Sequence, residues 1–495
     1  MLYKSTRGNT EVVNSQEAVV KGLCDDGGLF VPVDFPNIKL DLEEMKNYSY
    51  KEVACKILEI FFGDFSKEEI KNIVDNSYDG KFSRKELVDV VKGGDGFFIE
   101  LYHGPTSAFK DMALSVLPHL MIESSKKISG DKEIVILTAT SGDTGKAALE
   151  GFSNVDGIKI VVYYPSEGVS QTQRLQMVSQ EGNNVKVYGI NGNFDDAQKA
   201  VKEIFVNKEL REDMAKNNKA FSSANSINIG RLVPQIVYYV YSYLQLVNRG
   251  EIFLGDKVNI VVPCGNFGNI LAAYYGEKLG LPVNKFICAS NTNKVLTDFF
   301  NTGVYDRNRD MDITVSPSMD ILVSSNLERY LYEISDNDES FVESAMESLQ
   351  KDGRYSVKPE HMEKMKRFYG GFCNDEETLA TIKAMYENNK YLMDTHTAVA
   401  YKVYEDYVKE TGDKTKTLIA STASPYKFSE AVCKGLGIFE EGLTDDEMMD
   451  KLHEYTSVDI PKNLFELRNK KAIHSDIIDK STIIENLKKY LELGE

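Results

Sequence analysis

No stretch of this sequence approaches the roughly 20 consecutive apolar residues that a membrane-spanning helix needs. The opening residues, Met1-Leu2-Tyr3-Lys4-Ser5-Thr6-Arg7, lack the apolar core of a signal peptide. The six cysteines, at positions 24, 55, 264, 288, 373 and 433, form no CxxC pair, which argues against a zinc site and against a disulfide framework. The histidines show no metal-ligand spacing, so no metal is expected. Positive charge is also scarce: 58 Lys and Arg face 76 Asp and Glu, for a net charge of −18. Nucleic-acid binding needs a basic footprint, and none is present. Any phosphate pocket must be locally positive against an unfavourable mean field. There are no internal repeats and no low-complexity tracts. These absences lead to the expectation of a cytoplasmic protein that binds neither membrane nor nucleic acid.

What is present is ordinary globular material, 42% hydrophobic and 27% charged over 495 residues, enough for two or three domains or subdomains. Residues 1–94 read as a separate N-terminal unit. In 51–62, Val53, Ile57, Leu58, Ile60 and Phe61 cluster on one helical side, and Ser66-Lys67-Glu68-Glu69 has the form of a capped helix start. Gly93-Gly94-Asp95-Gly96 is taken as the turn before the core. From about 97 to 290, short apolar runs alternate with helical patterns. Residues 134–137, 158–162, 185–188 and 258–262 read as strands, and 195–205, 233–247 and 270–279 as helices. Such alternation predicts an α/β fold with a mostly parallel sheet. Residues 330–390, rich in Glu, Lys, Met and Tyr, are expected to form a helical insertion without sheet, and 417–420 returns to a strand pattern. The expected division is 1–94, then a core at 95–440 with a small subdomain at about 131–230, then a charged helical segment at 441–495.

Several stretches have the composition of a chemical site. Phe97-Phe98-Ile99-Glu100-Leu101 reads as a strand, Gly104-Pro105-Thr106-Ser107 as a turn, and Asp111 onward as a helix start, which sets Lys110 at a helix mouth. A desolvated lysine loses proton affinity, and a neutral amine attacks aldehydes. Gly265-Asn266-Phe267-Gly268-Asn269 follows a strand and opens a helix, a setting in which backbone N–H groups and the helix dipole meet an anion. The same residues equally suit a plain strand-to-helix turn, and the dinucleotide fingerprint GxGxxG is absent. Thr140-Ser141-Gly142-Asp143-Thr144-Gly145 has the same setting, and its hydroxyls suit a carboxylate or a helix cap. It is not a P-loop, since only two residues separate its glycines. Asn225-Ser226-Ile227-Asn228-Ile229-Gly230-Arg231 leads into a long amphipathic helix. Its polar side chains and Arg231 suit either an anionic ligand or a solvated helix start. Thr422, at a strand end, offers a hydroxyl to a ligand or to a backbone group.

Taken together, His103-Gly104-Pro105-Thr106-Ser107-Ala108-Phe109-Lys110-Asp111, the stretches 140–145 and 265–269, and Ser421-Thr422-Ala423-Ser424-Pro425-Tyr426-Lys427-Phe428 resemble, in this order, the motifs of the threonine synthase family. The opening residues 3–8 and 27–32 also resemble that family's start, so the similarity spans nearly the whole chain. The resemblance implies a tryptophan-synthase-β-like, fold type II pyridoxal-phosphate enzyme, with two α/β domains, an extra N-terminal domain and a helical insertion. It implies that Lys110 binds pyridoxal 5'-phosphate covalently, that Gly265, Asn266, Phe267, Gly268 and Asn269 hold the cofactor phosphate, and that Thr422 faces the ring nitrogen. A hydroxyl partner there favours elimination and replacement over transamination. Ser141 and Thr144 are expected at the substrate carboxylate, and Ser226, Asn228, Arg231 and Lys427 at the substrate phosphate. The roles of Asp143 and His396 stay open. The implied activity is conversion of O-phospho-L-homoserine and water to L-threonine and phosphate, by a monomer or homodimer. The alternatives are a phospho-lyase releasing 2-oxobutyrate, a serine or threonine dehydratase, and a non-catalytic binding homologue.

Overall fold

Apolar runs without period are buried on both faces, as in Val258–Pro263, and this is the mark of parallel strands covered by helices on either side. In the computed structural model, which describes residues 1–128, 132–140, 142–166, 169–192 and 194–493, such runs build two sheets. The larger has six strands in the order Phe368–Phe372, Val283–Ser290, Val258–Pro263, Thr417–Ser421, Gly96–Glu100 and Asp89–Gly93. All neighbours are parallel except the final pair. The smaller sheet is fully parallel, in the order Ile477–Ile478, Val185–Ile190, Ile158–Pro165, Glu133–Ala139 and Lys219–Ser222. Among the described residues, no helix is long and apolar enough to cross a membrane.

The N-terminal residues add a three-stranded sheet and capped helices. Ser66 and Glu69 form the expected reciprocal cap on the helix Lys67–Tyr78, and Ser49 and Glu52 cap Tyr50–Phe61 in the same way. This unit is tied to the core by charge. Glu328 accepts both Nε and Nη2 of Arg7, each at 2.9 Å, and the Thr6 hydroxyl at 2.6 Å. The neighbouring Arg329 is fully buried and donates to the carbonyls of Phe30 (3.0 Å) and Ile227 (2.6 Å) and to Asn326 Oδ1 (2.5 Å).

Two sequence expectations are corrected here. Gly93–Gly96 is not a boundary before the core but the turn of an antiparallel hairpin, whose first strand already belongs to the large sheet. Gly94 adopts φ +55 in that turn, a conformation that glycine reaches at little cost. The 330–390 region is not wholly helical either. Phe368–Phe372 is the edge strand of the large sheet, where a Cβ on Gly370 would lie 3.1 Å from Thr297 Cα. The glycines allow that strand to pack directly on the helix Val295–Thr302.

The C-terminal segment crosses between the two α/β units. Leu464 and Leu467 lie in the core of the large unit, whereas Ile483, Leu487, Leu491 and Leu493 complete the core of the small one. Between them, the Ile473 and His474 N–H groups both reach the Val178 carbonyl, at 2.8 and 3.0 Å.

The Arg329 bonds yield a stability prediction. Arg329→Met removes the donor to two backbone carbonyls and one amide oxygen, and a buried acceptor left unpaired costs about 1–3 kcal/mol. Urea unfolding followed by circular dichroism is expected to show a clearly lower midpoint. An unchanged midpoint would show that these bonds do not brace the unit.

Candidate active site

Each of the four motifs lies at the C-terminal end of a parallel strand, where open α/β sheets place their ligands. The lysine loop follows Gly96–Glu100, the 140–145 loop follows Glu133–Ala139, the Gly-rich loop follows Val258–Pro263, and the 421–428 stretch ends Thr417–Ser421. Two of these loops are zipped together beyond their parent strands. Phe109 N–H donates to the Thr422 carbonyl at 2.8 Å, Ser424 N–H to the Ser107 carbonyl at 3.0 Å, and Ala108 bridges Ala423. Thr106 caps the turn by donating its N–H (2.8 Å) and hydroxyl (2.5 Å) to Asp111, whose carboxyl is pushed up to about 6 by burial against these donors. Asn463 braces the far side, donating to the Pro105 carbonyl and to Ser107 Oγ, each at 2.9 Å.

Lys110 is thereby held buried, with Nζ 3.4 Å from Asp143 Oδ2. Burial lowers its proton affinity, Asp143 opposes this, and Lys427 and Arg231 reinforce it. Asp143 also meets Lys427 Nζ at 2.6 Å and Gln173 Nε2 at 2.8 Å, both on Oδ1. Burial alone would raise the Asp143 carboxyl, but Lys427 and Lys110 hold it well below the usual carboxylate range. Lys427 donates further to the Thr106 carbonyl at 3.0 Å. Asp143, whose role was open in the sequence, is therefore the anion that faces the lysine.

The Gly-rich loop fits a phosphate group. A Cβ on Gly265 would fall 2.7 Å from the Ser318 carbonyl oxygen, so only glycine lets the chain pass there. Phe267 takes φ +63 to start the helix Gly268–Lys278, and its ring is buried against Phe300, Tyr330 and Phe368. Positive φ at a bulky residue is strained, and such strain gathers at ligand sites. In the first helical turn, Asn269 Oδ1 accepts from Tyr238 (2.9 Å) and Tyr239, while its Nδ2 is buried with no hydrogen-bond partner among the described residues. An unpaired buried amide donor beside first-turn N–H groups suits an anion. The loop is backed by the segment after it: Ser324 Oγ donates to the Gly265 carbonyl at 2.8 Å and Asn326 N–H to the Asn266 carbonyl at 3.0 Å.

The other expected residues are distributed unevenly. Thr422 is buried at the strand end, beside the lysine loop. Thr144 is half-buried in the first turn of Asp143–Phe152, and Ser141 lies outside the described residues. Ser226 sits against the Gly-rich loop, its Cβ 3.8 Å from where a Cβ on Gly268 would be. Arg231 is buried, is pushed down to about 10 by burial, and donates to the Ala224 carbonyl at 2.8 Å. Asn228, expected at the substrate phosphate, is bonded within the protein. Its Nδ2 donates to the carbonyls of Val19 (2.9 Å) and Ser223 (3.0 Å), and its Oδ1 accepts the Gly230 N–H (2.9 Å), so the side chain is fully engaged in capping and in anchoring the N-terminal unit. His396 is likewise a brace. Its Nδ1 bonds Asp394 at 2.8 Å, and its Nε2 accepts the Ser318 N–H at 3.1 Å, fixing the carbonyl that packs on Gly265. Sequence reasoning missed Gln173, Asn463 and Asn326, which stand far from any motif and carry no local signal.

Comparison with known proteins decides the family. Residues 2–78 match Threonine synthase N terminus, residues 92–422 match Pyridoxal-phosphate dependent enzyme, and residues 397–478 match Threonine synthase, C-terminal. The chain is 34% identical to threonine synthase of Schizosaccharomyces pombe over 94% of its own length and 98% of that protein's. The chain belongs to the threonine synthase family. A crystal structure of pyridoxal-phosphate-bound threonine synthase from Brucella melitensis superposes with a TM-score of 0.87 at 32% identity, covering 99% of this chain and 98% of that one. The α/β fold is thus that of a fold type II pyridoxal-phosphate enzyme, and pyridoxal phosphate is its cofactor. Human threonine synthase-like 1 is 39% identical over 89% of this chain, which spans 60% of that relative's length.

For this threonine synthase family member, Gly265→Ala forces the added methyl against the Ser318 carbonyl. Overpacking of this kind costs about 1–3 kcal/mol, or about fivefold to 150-fold in affinity. Cofactor retained after gel filtration, read by visible absorbance, is expected to fall accordingly. Gly276→Ala serves as the control, since its Cβ would make only ordinary contacts from 3.5 Å outward.

Proposed function

We propose that the protein converts O-phospho-L-homoserine and water to L-threonine and phosphate. The observation that carries this reading is Arg231, a buried guanidinium bonded to a backbone carbonyl and paired with no carboxylate among the described residues, within electrostatic reach of Lys110. An unpaired buried cation is costly unless an anion completes it. The cofactor phosphate has its own cradle at 265–269, which leaves Arg231 for the phosphate of the substrate. In an acidic chain, this local excess of positive charge is what a dianionic substrate requires.

The residues divide the work as follows. Bound pyridoxal phosphate supplies a conjugated ring that delocalises negative charge developing on the substrate carbons. Gly265, Asn266, Phe267, Gly268 and Asn269 hold its phosphate through first-turn N–H groups and the helix dipole. Thr422 offers the ring nitrogen a neutral hydroxyl, which suits elimination and replacement better than transamination. The N–H groups of Gly142 and Gly145 already donate to Thr140 Oγ1, at 3.0 and 2.9 Å, which rigidifies their loop and leaves the Thr144 hydroxyl for the substrate carboxylate. Ser141 is assigned to the same carboxylate by its motif. Lys110, with its proton affinity lowered, removes the proton at substrate Cα. Ser226 and Arg231 orient the substrate phosphate as it departs.

A second reading is phosphate elimination with release of 2-oxobutyrate. Incubation with O-phospho-L-homoserine distinguishes them. Equal yields of phosphate and threonine are expected, and phosphate accompanied mainly by 2-oxobutyrate would favour the second reading. Turnover of unphosphorylated serine or threonine alone would mark a dehydratase.

The Arg231 assignment has its own measurement. A charge-assisted bond to a buried anion contributes about 1.5–3 kcal/mol, so Arg231→Met is expected to lower kcat/KM for O-phospho-L-homoserine by roughly one to two orders of magnitude. Cofactor absorbance should be preserved. Loss of the cofactor instead would assign Arg231 to cofactor retention.

A further inference from the structure

A buried lysine that faces a carboxylate ordinarily keeps its proton, because an opposite charge within about 4–6 Å favours the ammonium. Asp143 Oδ2 lies 3.4 Å from Lys110 Nζ, so a one-to-one pair would hold Lys110 as a poor nucleophile and a poor base. The pair is not one-to-one. Lys427 Nζ approaches Asp143 Oδ1 to 2.6 Å, and its ammonium is fixed by the Thr106 carbonyl at 3.0 Å. Gln173 Nε2 donates to the same Oδ1 at 2.8 Å, which orients the carboxylate edge toward Lys427. The short ion pair thus goes to Lys427 and the long one to Lys110. The charged groups that face Lys110 are Asp143 from the helix Asp143–Phe152, Lys427 from the turn Pro425–Phe428, and Arg231 from the helix Ile229–Leu232.

We propose that Lys427 is a positioning residue that competes with Lys110 for Asp143, neutralising the carboxylate so that the Lys110 nitrogen gives up its proton readily. Lys427 acts through Asp143 and does not itself bind the substrate phosphate, the place its sequence position suggested, because its ammonium already holds an anion and a carbonyl. The assignment rests on the reading of Lys110 as the lysine that binds the cofactor. Its logic is one of charge. With Lys427 present, one carboxylate serves two ammonium groups, and loss of the Lys110 proton leaves a neutral, tightly bonded pair behind. Without Lys427, Asp143 would belong to Lys110 alone. The direction of the Lys110 shift agrees with this, since Lys427 lowers its proton affinity and Asp143 raises it.

The test is a pH titration of the visible absorption band of the holoenzyme, which reports the proton on the nitrogen of Lys110. No substrate is needed, so its outcome is independent of which reaction the enzyme catalyses. Borohydride reduction and peptide mapping identify the labelled lysine separately, and a label on another lysine would overturn the reading of Lys110 itself. Lys427→Met is expected to raise the midpoint by about one to three pH units, the effect of an opposite charge no longer shared. Lys427→Arg, which keeps the cation, is expected to stay near wild type. Asp143→Asn is expected to move the midpoint the opposite way, downward, because two cations then lack their anion. These opposite signs are not produced by a merely structural role. A wild-type midpoint in Lys427→Met, or a shift of the same sign in both variants, overturns the proposal. Should Lys427→Met fail to fold, the downward shift in Asp143→Asn and the unshifted Lys427→Arg decide, and an unmoved Asp143→Asn midpoint overturns it.

Discussion

A concentration of buried cations around a single carboxylate is the constraint on which the site depends. Burying a charge costs several kcal/mol unless it is paired and hydrogen-bonded, and here Lys110 and Lys427 are buried against Asp143, with Arg231 buried within electrostatic reach of Lys110. The remaining stabilisation comes from backbone carbonyls, those of Thr106 and Ala224. A carbonyl accepts a hydrogen bond without cancelling charge, so the pocket stays electropositive inside a strongly acidic protein. The fold makes this possible by gathering loops at the strand ends of both sheets, since no one loop carries all of these side chains.

The N-terminal unit and the segment after the large-sheet helices take part in the site without touching its chemistry. Asn326 links the Gly-rich loop to the 225–231 loop, donating its N–H to the Asn266 carbonyl and its Nδ2 to the Ser226 carbonyl at 3.2 Å. Arg329 holds Asn326 Oδ1 and, through Phe30, the N-terminal sheet, while Glu328 receives Arg7. The cofactor cradle is thus backed by a continuous polar chain that ends in the N-terminal unit. Buried networks of this kind are rigid when every member is satisfied.

The fold was largely legible because its signals are local. Alternating apolar runs and helical periods marked the parallel sheets, and Ser66 with Glu69 marked a helix start from four residues. The edge strand Phe368–Phe372 was not legible, since a glycine-containing strand between two helices has no periodicity of its own and is defined by pairing with Val283–Ser290. At the site, the loops were visible as glycines and hydroxyls next to strands. What the loops do to one another was not. Asn228 looked like a ligand donor because a polar residue at a helix start reads the same whether it caps the helix or binds a substrate. Lys427 looked like a phosphate contact because its partner, Asp143, lies far away in the chain and meets it only once the two sheets are assembled.

The path of the C-terminal segment has a consequence for biosynthesis. The edge strand Ile477–Ile478 and the core residues from Ile483 to Leu493 belong to the small α/β unit, yet they are translated after the whole of the large one. The other four strands of the small sheet emerge from the ribosome early, as far as Ser222, and must wait with the edge of Val185–Ile190 unpaired and part of one face uncovered. Exposed strand edges and apolar faces are the hazards of nascent chains. This protein therefore has a long interval of translation in which the unit bearing Asp143 is unfinished, and that carboxylate stays without its Lys427 partner until the strand Thr417–Ser421 of the other unit has been made.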